Sequence, residues 1–183
     1  VQIEIRQGED LGSGRPSLQH RQHVRHGRVH GPGHPGQDRE AREGIIEGYV
    51  HDSRIGVILE LNCETDFVAR TEGFKELAHE LALQIAAMNP QYATFADVPK
   101  EEVERVRNES LERVKAEGKP ANIAEKIVEG QVKKNFEDKV LMSQTFYKDE
   151  TMTIEDYIKE NIAKTGENIR VGQFKRIELG VSE

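Results

Sequence analysis

Two short runs of strand-forming residues, separated by a polar pair, constrain the fold of this chain most. They are 45–51, IIEGYVH, and 54–62, RIGVILELN, with Asp52 and Ser53 between them. A two-residue polar turn between such runs predicts an antiparallel hairpin. Alternate residues of the second run form an apolar face that we expect to be buried: Ile55, Val57, Leu59 and Leu61. The opposite face mixes apolar and polar residues: Gly56, Ile58, Glu60 and Asn62.

Apolar residues at helical spacing follow the hairpin. Thr71 is a suitable N-cap, and Asn89-Pro90 ends the pattern. The predicted stripe is Phe74, Leu77, Ala78, Leu81, Ile85 and Met88.

Two more helices are predicted on either side of Gly118, which suits a helix C′ position. The first covers 100–117 and is highly charged, with a narrow stripe of Val103, Val106, Leu111 and Val114. Pro120 suits the first turn of the second, over 120–138. Its stripe is Ile123, Ile127, Val128, Val132 and Phe136.

The sequence from Thr153 to Leu179 predicts one more helix and one more strand. Thr153 and Asp156 resemble a capping box for a helix that Gly166 closes. Residues 168–179 predict a long strand, but polar residues interrupt its apolar face while Phe174 points the other way. Either a β-bulge near Gly172 or a strand that leaves the core to meet another chain explains this pattern. The predicted fold is α+β, a three-stranded antiparallel sheet packed with helices.

Residues 1–37 differ in composition from the rest of the chain. They are rich in Gly, Arg, Gln, Pro and His, without apolar periodicity, so we expect a disordered or aberrant N-terminal segment preceding the folded domain at 38–183. Five histidines fall in this segment: His20, His23, His26, His30 and His34. Their spacing would suit a metal-binding helix face, but the interspersed glycines and prolines argue against that helix. No metal site is predicted.

Charge and composition exclude several classes of protein. A formal charge of −7 argues against direct binding to nucleic acid, because phosphate binding requires a basic face. One cysteine, no apolar run of spanning length and no apolar signal segment indicate a cytoplasmic protein without a membrane anchor.

Catalytic motifs are also missing from the sequence. Cys63 and Glu64 could suggest a nucleophile, but no motif places His51 or His79 beside the thiol as a base. Neither a P-loop nor a dinucleotide-binding glycine motif is present, so we expect no bound nucleotide or other cofactor and no enzyme activity.

The stretch ELNCETDFVAR, residues 60–70, joins the second strand to the first helix. Phe67 in it either packs beneath the corner or projects from it. Leu61 already ends the buried face of the strand and Phe74 begins that of the helix, so both faces are complete without Phe67. An aromatic residue on a tight loop between rigid elements suits a binding hot spot, which favours projection.

This stretch resembles the signature of bacterial elongation factor Ts at every position from Glu60 to Arg70. Further blocks are similar to the same family: DREAREGII at 38–46, GVILELN at 56–62, MNP at 88–90, GKPANIAEKIVEG at 118–130 and TGENIRVGQFKRIELG at 165–180. The resemblance covers 38–180 and implies the short form of the factor.

The resemblance implies a guanine-nucleotide exchange factor that releases GDP from elongation factor Tu. It implies that the partner is contacted by Thr65, Asp66, Phe67 and Val68. The ring of Phe67 would wedge between helices near the nucleotide, which disturbs Mg²⁺ coordination and the phosphate-binding loop. Short members of the family also suggest a homodimer, with the strand surface at 172–176 as its contact.

Two features depart from the family. Relatives begin with a small helical domain that touches the GTPase. Residues 1–37 do not resemble that domain. One hypothesis for the difference is a reading-frame error upstream of Asp38. Relatives also often carry His where Gln84 stands. The alternative functions are a non-exchanging chaperone or assembly subunit that uses the same loop and, more remotely, an enzyme dependent on Cys63.

Overall fold

The computed structural model describes residues 40–118 and 120–181. The N-terminal segment 1–37, with its histidines, lies outside them. The strands are β1 (Glu43–His51), β2 (Ile55–Cys63), β3 (Thr145–Phe146), β4 (Asp149–Thr153) and β5 (Arg170–Glu178). The helices are α1 (Asp66–Ala69), α2 (Glu72–Met88), α3 (Lys100–Ala116), α4 (Ala121–Glu137) and α5 (Ile154–Thr165). Short 3-10 turns cover Phe95–Asp97 and Leu141–Ser143.

The main sheet has three antiparallel strands in the order β1-β2-β5, which confirms the predicted α+β fold. The predicted hairpin is also confirmed. The Arg54 N–H donates to the His51 carbonyl at 2.9 Å, and the two residues between them, Asp52 and Ser53, have left-handed φ of 48° and 56°. Because His51 pairs with Ile55, three residues rather than two separate the strands. Register is continuous from Glu43↔Cys63 to His51↔Ile55.

The predicted face of the central strand β2 is buried, except that Ile55 at its start is only partly buried. Val57, Leu59 and Leu61 are at most 2% exposed, and Cys63 continues the same face. Helix α2 covers this face with Phe74, Leu77, Ala78, Leu81 and Ile85. Thr71 caps α2 as predicted, since its Oγ1 accepts a hydrogen bond from the Phe74 N–H at 3.3 Å.

Helices α3 and α4 pack together around a second apolar cluster. Its buried members are Val98, Val106, Val114, Ala124, Val128, Val132, Phe136 and Val140. The predicted stripes of both helices are therefore largely confirmed. Two assignments at helix ends are wrong, because Met88 and Ile123 are each 48% exposed. Met88 lies in the last turn of α2 and Ile123 in the first turn of α4, where each helix extends past the surface that it packs against.

A short hairpin of β3 and β4 was not predicted from the sequence. It leads into α5, whose predicted capping box is present: Thr153 and Asp156 bond each other's backbone N–H groups. Gly166 ends α5 with φ 73°, a left-handed conformation that glycine adopts without strain.

Strand β5 contains the predicted bulge. Leu61 pairs with Val171 but Leu59 pairs with Phe174, so one extra residue is inserted beside Gly172. Beyond the bulge the even positions turn inward. Phe174 packs on the core, and the Arg176 Nε donates to the Ala86 carbonyl at 3.1 Å. A β-carbon on Gly172 would lie 2.7–2.8 Å from the ends of the Asn62 and Glu60 side chains, so glycine leaves room here for those two polar groups of β2.

Candidate functional site

The corner between β2 and α2 is built from a strand end and one turn of helix. β2 ends at Cys63, α1 occupies Asp66–Ala69, and α2 begins two residues after Arg70, the C-cap of α1. The sequence predicted a loop at this point. The chain instead forms a capped helical turn, in which the Thr65 Oγ1 accepts from the Val68 N–H at 3.4 Å.

Phe67 projects from this turn with its side chain 81% exposed. The alternative in which it packs beneath the corner is therefore wrong. Its neighbours in the turn explain the orientation, because Ala69 is buried and Val68 packs against the core. A single helical turn that directs these two side chains inward leaves Phe67 on the solvent side.

Asp66 and Arg70 also lie on the surface of the corner. Their side chains pair at 2.8 Å across one helical turn, and both are more than half exposed. A surface pair of this kind adds little stability, so both groups remain available to a partner.

The far end of the chain holds the corner in place. The Glu167 carboxylate accepts three hydrogen bonds from it: Oε2 from the Glu64 N–H at 3.2 Å and the Thr65 N–H at 3.0 Å, and Oε1 from the Thr65 hydroxyl at 2.6 Å. In return, the Glu64 Oε1 accepts from the Asn168 N–H at 2.6 Å. Sequence reasoning missed these contacts, since no periodicity links groups about a hundred residues apart.

Cys63 has the environment of a core residue. Its side chain is fully buried, and its Sγ donates to the Thr65 carbonyl at 3.1 Å. Burial raises the pKa of the thiol, which disfavours the thiolate that a nucleophile requires. In the described part of the chain, no three His, Cys, Asp or Glu side chains form a group that could hold a metal ion.

Gln84 lies in a polar network beneath the β3–β4 hairpin rather than at the corner. Its Nε2 donates to the Thr145 carbonyl at 3.0 Å, and its Oε1 accepts from the Tyr147 N–H at 3.0 Å. The side chain is fully buried. Gln84 therefore attaches the hairpin to α2.

A recess of about 570 Å³ lies between α3, α4 and the segment around Met142. Its lining is mainly apolar, and none of the lining residues belongs to the corner. Within residues 40–118 and 120–181, no helix combines the length and apolar character needed to cross a bilayer.

Comparison with known proteins agrees with the resemblance of the signature stretch. The family model described as Elongation factor TS matches residues 37–181. A protein from Thermotoga petrophila named Elongation factor Ts is 54% identical over 143 residues, covering 78% of this chain and 71% of the relative.

Relatives from other bacteria give the same result. Proteins named Elongation factor Ts from Fervidobacterium nodosum and Coprothermobacter proteolyticus are 48% and 50% identical. Each alignment covers 78% of this chain and 73% of the relative. The matched region contains all of β1 to β5 and α1 to α5.

Proposed function

The chain belongs to the elongation factor Ts family, and we propose that it promotes the release of GDP from elongation factor Tu during translation elongation. The observation that supports this most directly is the Phe67 side chain, 81% exposed on a corner that the core and Glu167 hold fixed. The chaperone alternative uses the same corner but has no support from family membership.

The partner-binding residues in this proposal are Thr65, Asp66, Phe67 and Val68. Phe67 supplies an apolar wedge and Asp66 an exposed carboxylate beside it. Thr65 and Val68 act mainly on the geometry, because Thr65 caps the turn and Val68 packs it against the core. An exposed aromatic side chain on a rigid support is a suitable interface hot spot.

Exchange by such a factor requires no chemical step. A protein that binds the nucleotide-free GTPase more tightly than the loaded form must, by linkage, weaken nucleotide binding. Each shift of about 1.4 kcal/mol changes the nucleotide affinity tenfold. The chain therefore acts as a binding protein rather than an enzyme. It needs neither a cofactor nor direct contact with nucleic acid or membrane, and a cytoplasmic location suits this role.

Stopped-flow release of labelled GDP from elongation factor Tu tests the function. We expect the chain to accelerate release and Phe67→Ala to reduce the acceleration by about 30-fold, as loss of a hot spot worth about 2 kcal/mol implies. Since the ring is exposed, the melting temperature should not change. Binding without acceleration by the unaltered chain would instead indicate the chaperone alternative.

The outer face of the main sheet supports a homodimer. Four large apolar side chains on it are 58–68% exposed: Ile46, Val50, Ile58 and Ile177. Gly48 and Gly56 lie between them, and a β-carbon on either would meet no atom within 4 Å. Glu60 and Lys175 lie on the same face, opposite Ile46 and Ile58. Exposed apolar side chains with a few charged neighbours suit packing against the same face of a second copy at about 10 Å.

Sedimentation equilibrium tests the homodimer. Ile58→Glu places a charge at the centre of the apolar face and should convert a dimer to a monomer. The matched control is Ile123→Glu, an exposed apolar position on α4 outside the sheet, which should leave the dimer intact. A monomer in the unaltered chain at high concentration would contradict this proposal and leave the exchange function untouched.

A further inference from the structure

The cap of the Phe67 turn depends on a side chain from the other end of the fold. The Thr65 hydroxyl has one proton, and it lies 2.6 Å from the Glu167 Oε1. An ionised carboxylate only accepts, so the proton must point toward Glu167. The oxygen lone pairs are then free to accept from the Val68 N–H, which lies 3.4 Å away. Glu167 thus orients the hydroxyl that caps α1.

Helix α1 needs this external support. It has only four residues, and an isolated helical turn is unstable in water because nucleation is unfavourable. The same carboxylate also accepts from the N–H groups of Glu64 and Thr65, which lie just beyond the end of β2. One side chain therefore holds both the strand end and the helix start.

Glu167 is itself well fixed. It follows the C-cap Gly166 of α5, and its N–H donates to the Thr165 Oγ1 at 3.3 Å. The next residue, Asn168, is 4% exposed, and its N–H donates to the Glu64 carboxylate. Hydrogen bonds in both directions thus join the corner to the segment between α5 and β5. This segment therefore fixes the position of the turn that carries Phe67.

We infer that Glu167 is a positioning residue for the exchange function. It holds the corner so that Phe67 is presented in one orientation before the partner binds. This inference rests on the proposed function. Without the Glu167 contacts only a fraction of molecules would present the ring correctly, and the apparent affinity for the partner would fall by that fraction.

Glu167→Gln tests the hydrogen bonds that the Glu167 carboxylate accepts, while preserving side-chain size. The amide NH₂ cannot accept a hydrogen bond, so at least one of the three bonds is lost. We expect amide hydrogen exchange at Thr65 and Val68 to become about tenfold faster, with the core amides of Leu81 and Ile85 unchanged. The control is Glu160→Gln on the exposed side of α5, where only a 4.0 Å pair with Lys164 is lost. Unchanged exchange at Thr65 and Val68 would overturn the inference.

The concentration dependence of GDP release gives a second measurement. For Glu167→Gln we expect the half-saturating concentration of the factor to rise about tenfold while the maximal release rate stays the same, because the seated ring is unaltered. A lower maximal rate with an unchanged half-saturating concentration would contradict a positioning role. Unchanged melting of the variant excludes loss of the whole fold as the cause.

A double-mutant cycle with Thr65→Val tests whether the effect passes through the hydroxyl. If it does, the double variant is little worse than Thr65→Val alone. Additive effects would contradict the route through Thr65. Should the unaltered chain fail to accelerate GDP release, the proposed function is wrong, but hydrogen exchange still decides whether Glu167 holds the corner.

Discussion

At the residue scale, Phe67 shows how local sequence predicts exposure. The strand face ends at Leu61 and the helix face begins at Phe74, and the ring between them is indeed exposed. Glu167 shows the opposite case, because its role depends on a contact with Thr65 that only folding brings about.

Gly44 gives a residue-scale prediction for stability. A β-carbon there would overlap the Leu61 carbonyl oxygen of the neighbouring strand. Gly44→Ala must therefore displace β1 from β2 and should lower the free energy of unfolding by about 1–3 kcal/mol. Urea denaturation measures this change.

Gly130 in the middle of α4 is the matched control for Gly44. A β-carbon there meets no atom within 4 Å. Gly130→Ala should raise the free energy of unfolding by up to about 1 kcal/mol, since alanine favours the helix. Equal effects of the two substitutions would show that the close approach of β1 to β2 at Gly44 is incorrect.

At the scale of elements, a buried carboxylate joins α2 to the β3–β4 hairpin. The Glu80 side chain is 8% exposed and accepts from the Lys148 Nζ at 2.6 Å and the Tyr147 hydroxyl at 2.5 Å. Burial opposes the charged form of Glu80, but these hydrogen bonds outweigh burial and lower the pKa of the carboxyl. Burial, and after it the hydrogen bond to Glu80, raises the pKa of Tyr147.

The lowered pKa predicts a pH dependence for the hairpin contact. A carboxyl with a depressed folded-state pKa contributes stability above its unfolded-state pKa, near 4.5 for Glu80, and loses it as the pH falls through the folded-state value. Glu80→Gln should therefore destabilise the protein by about 1–2 kcal/mol at neutral pH and much less at about pH 3.

Urea unfolding at both pH values measures the contribution of Glu80, with Glu104→Gln on the exposed surface of α3 as control. The control should have little effect at either pH. A Glu80→Gln effect that does not change with pH would show that the carboxylate charge is not what attaches the hairpin.

At the scale of the whole molecule, we propose that residues 38–183 are sufficient for exchange. Both apolar clusters, the corner and the Glu167 contacts lie within this range. A fragment beginning at Asp38 should melt like the full chain and accelerate GDP release at the same rate. Measurement of both chains side by side decides this. A fragment that folds but does not exchange would show that the segment before Asp38 takes part.

Local sequence determined most of the elements of this protein. Period-two and helical patterns, the turn at Asp52-Ser53 and the caps at Thr71, Thr153 and Gly166 all act over a few residues, so they can be recognised along the chain. The sequence did not predict the short β3–β4 hairpin, because a two-residue strand such as β3 is too short to show a period-two pattern. The sequence also placed Phe67 at the corner and proposed a bulge near Gly172.

Only the tertiary structure decided how the corner is held. Glu167 reaches Thr65 because β5 lies beside β2, so that the chain entering β5 meets the chain leaving β2. Tertiary packing likewise resolved the bulge in β5 and left the apolar outer face of the sheet exposed. Hydrogen bonds between residues distant in sequence depend on strand pairing and helix packing, which local patterns do not specify.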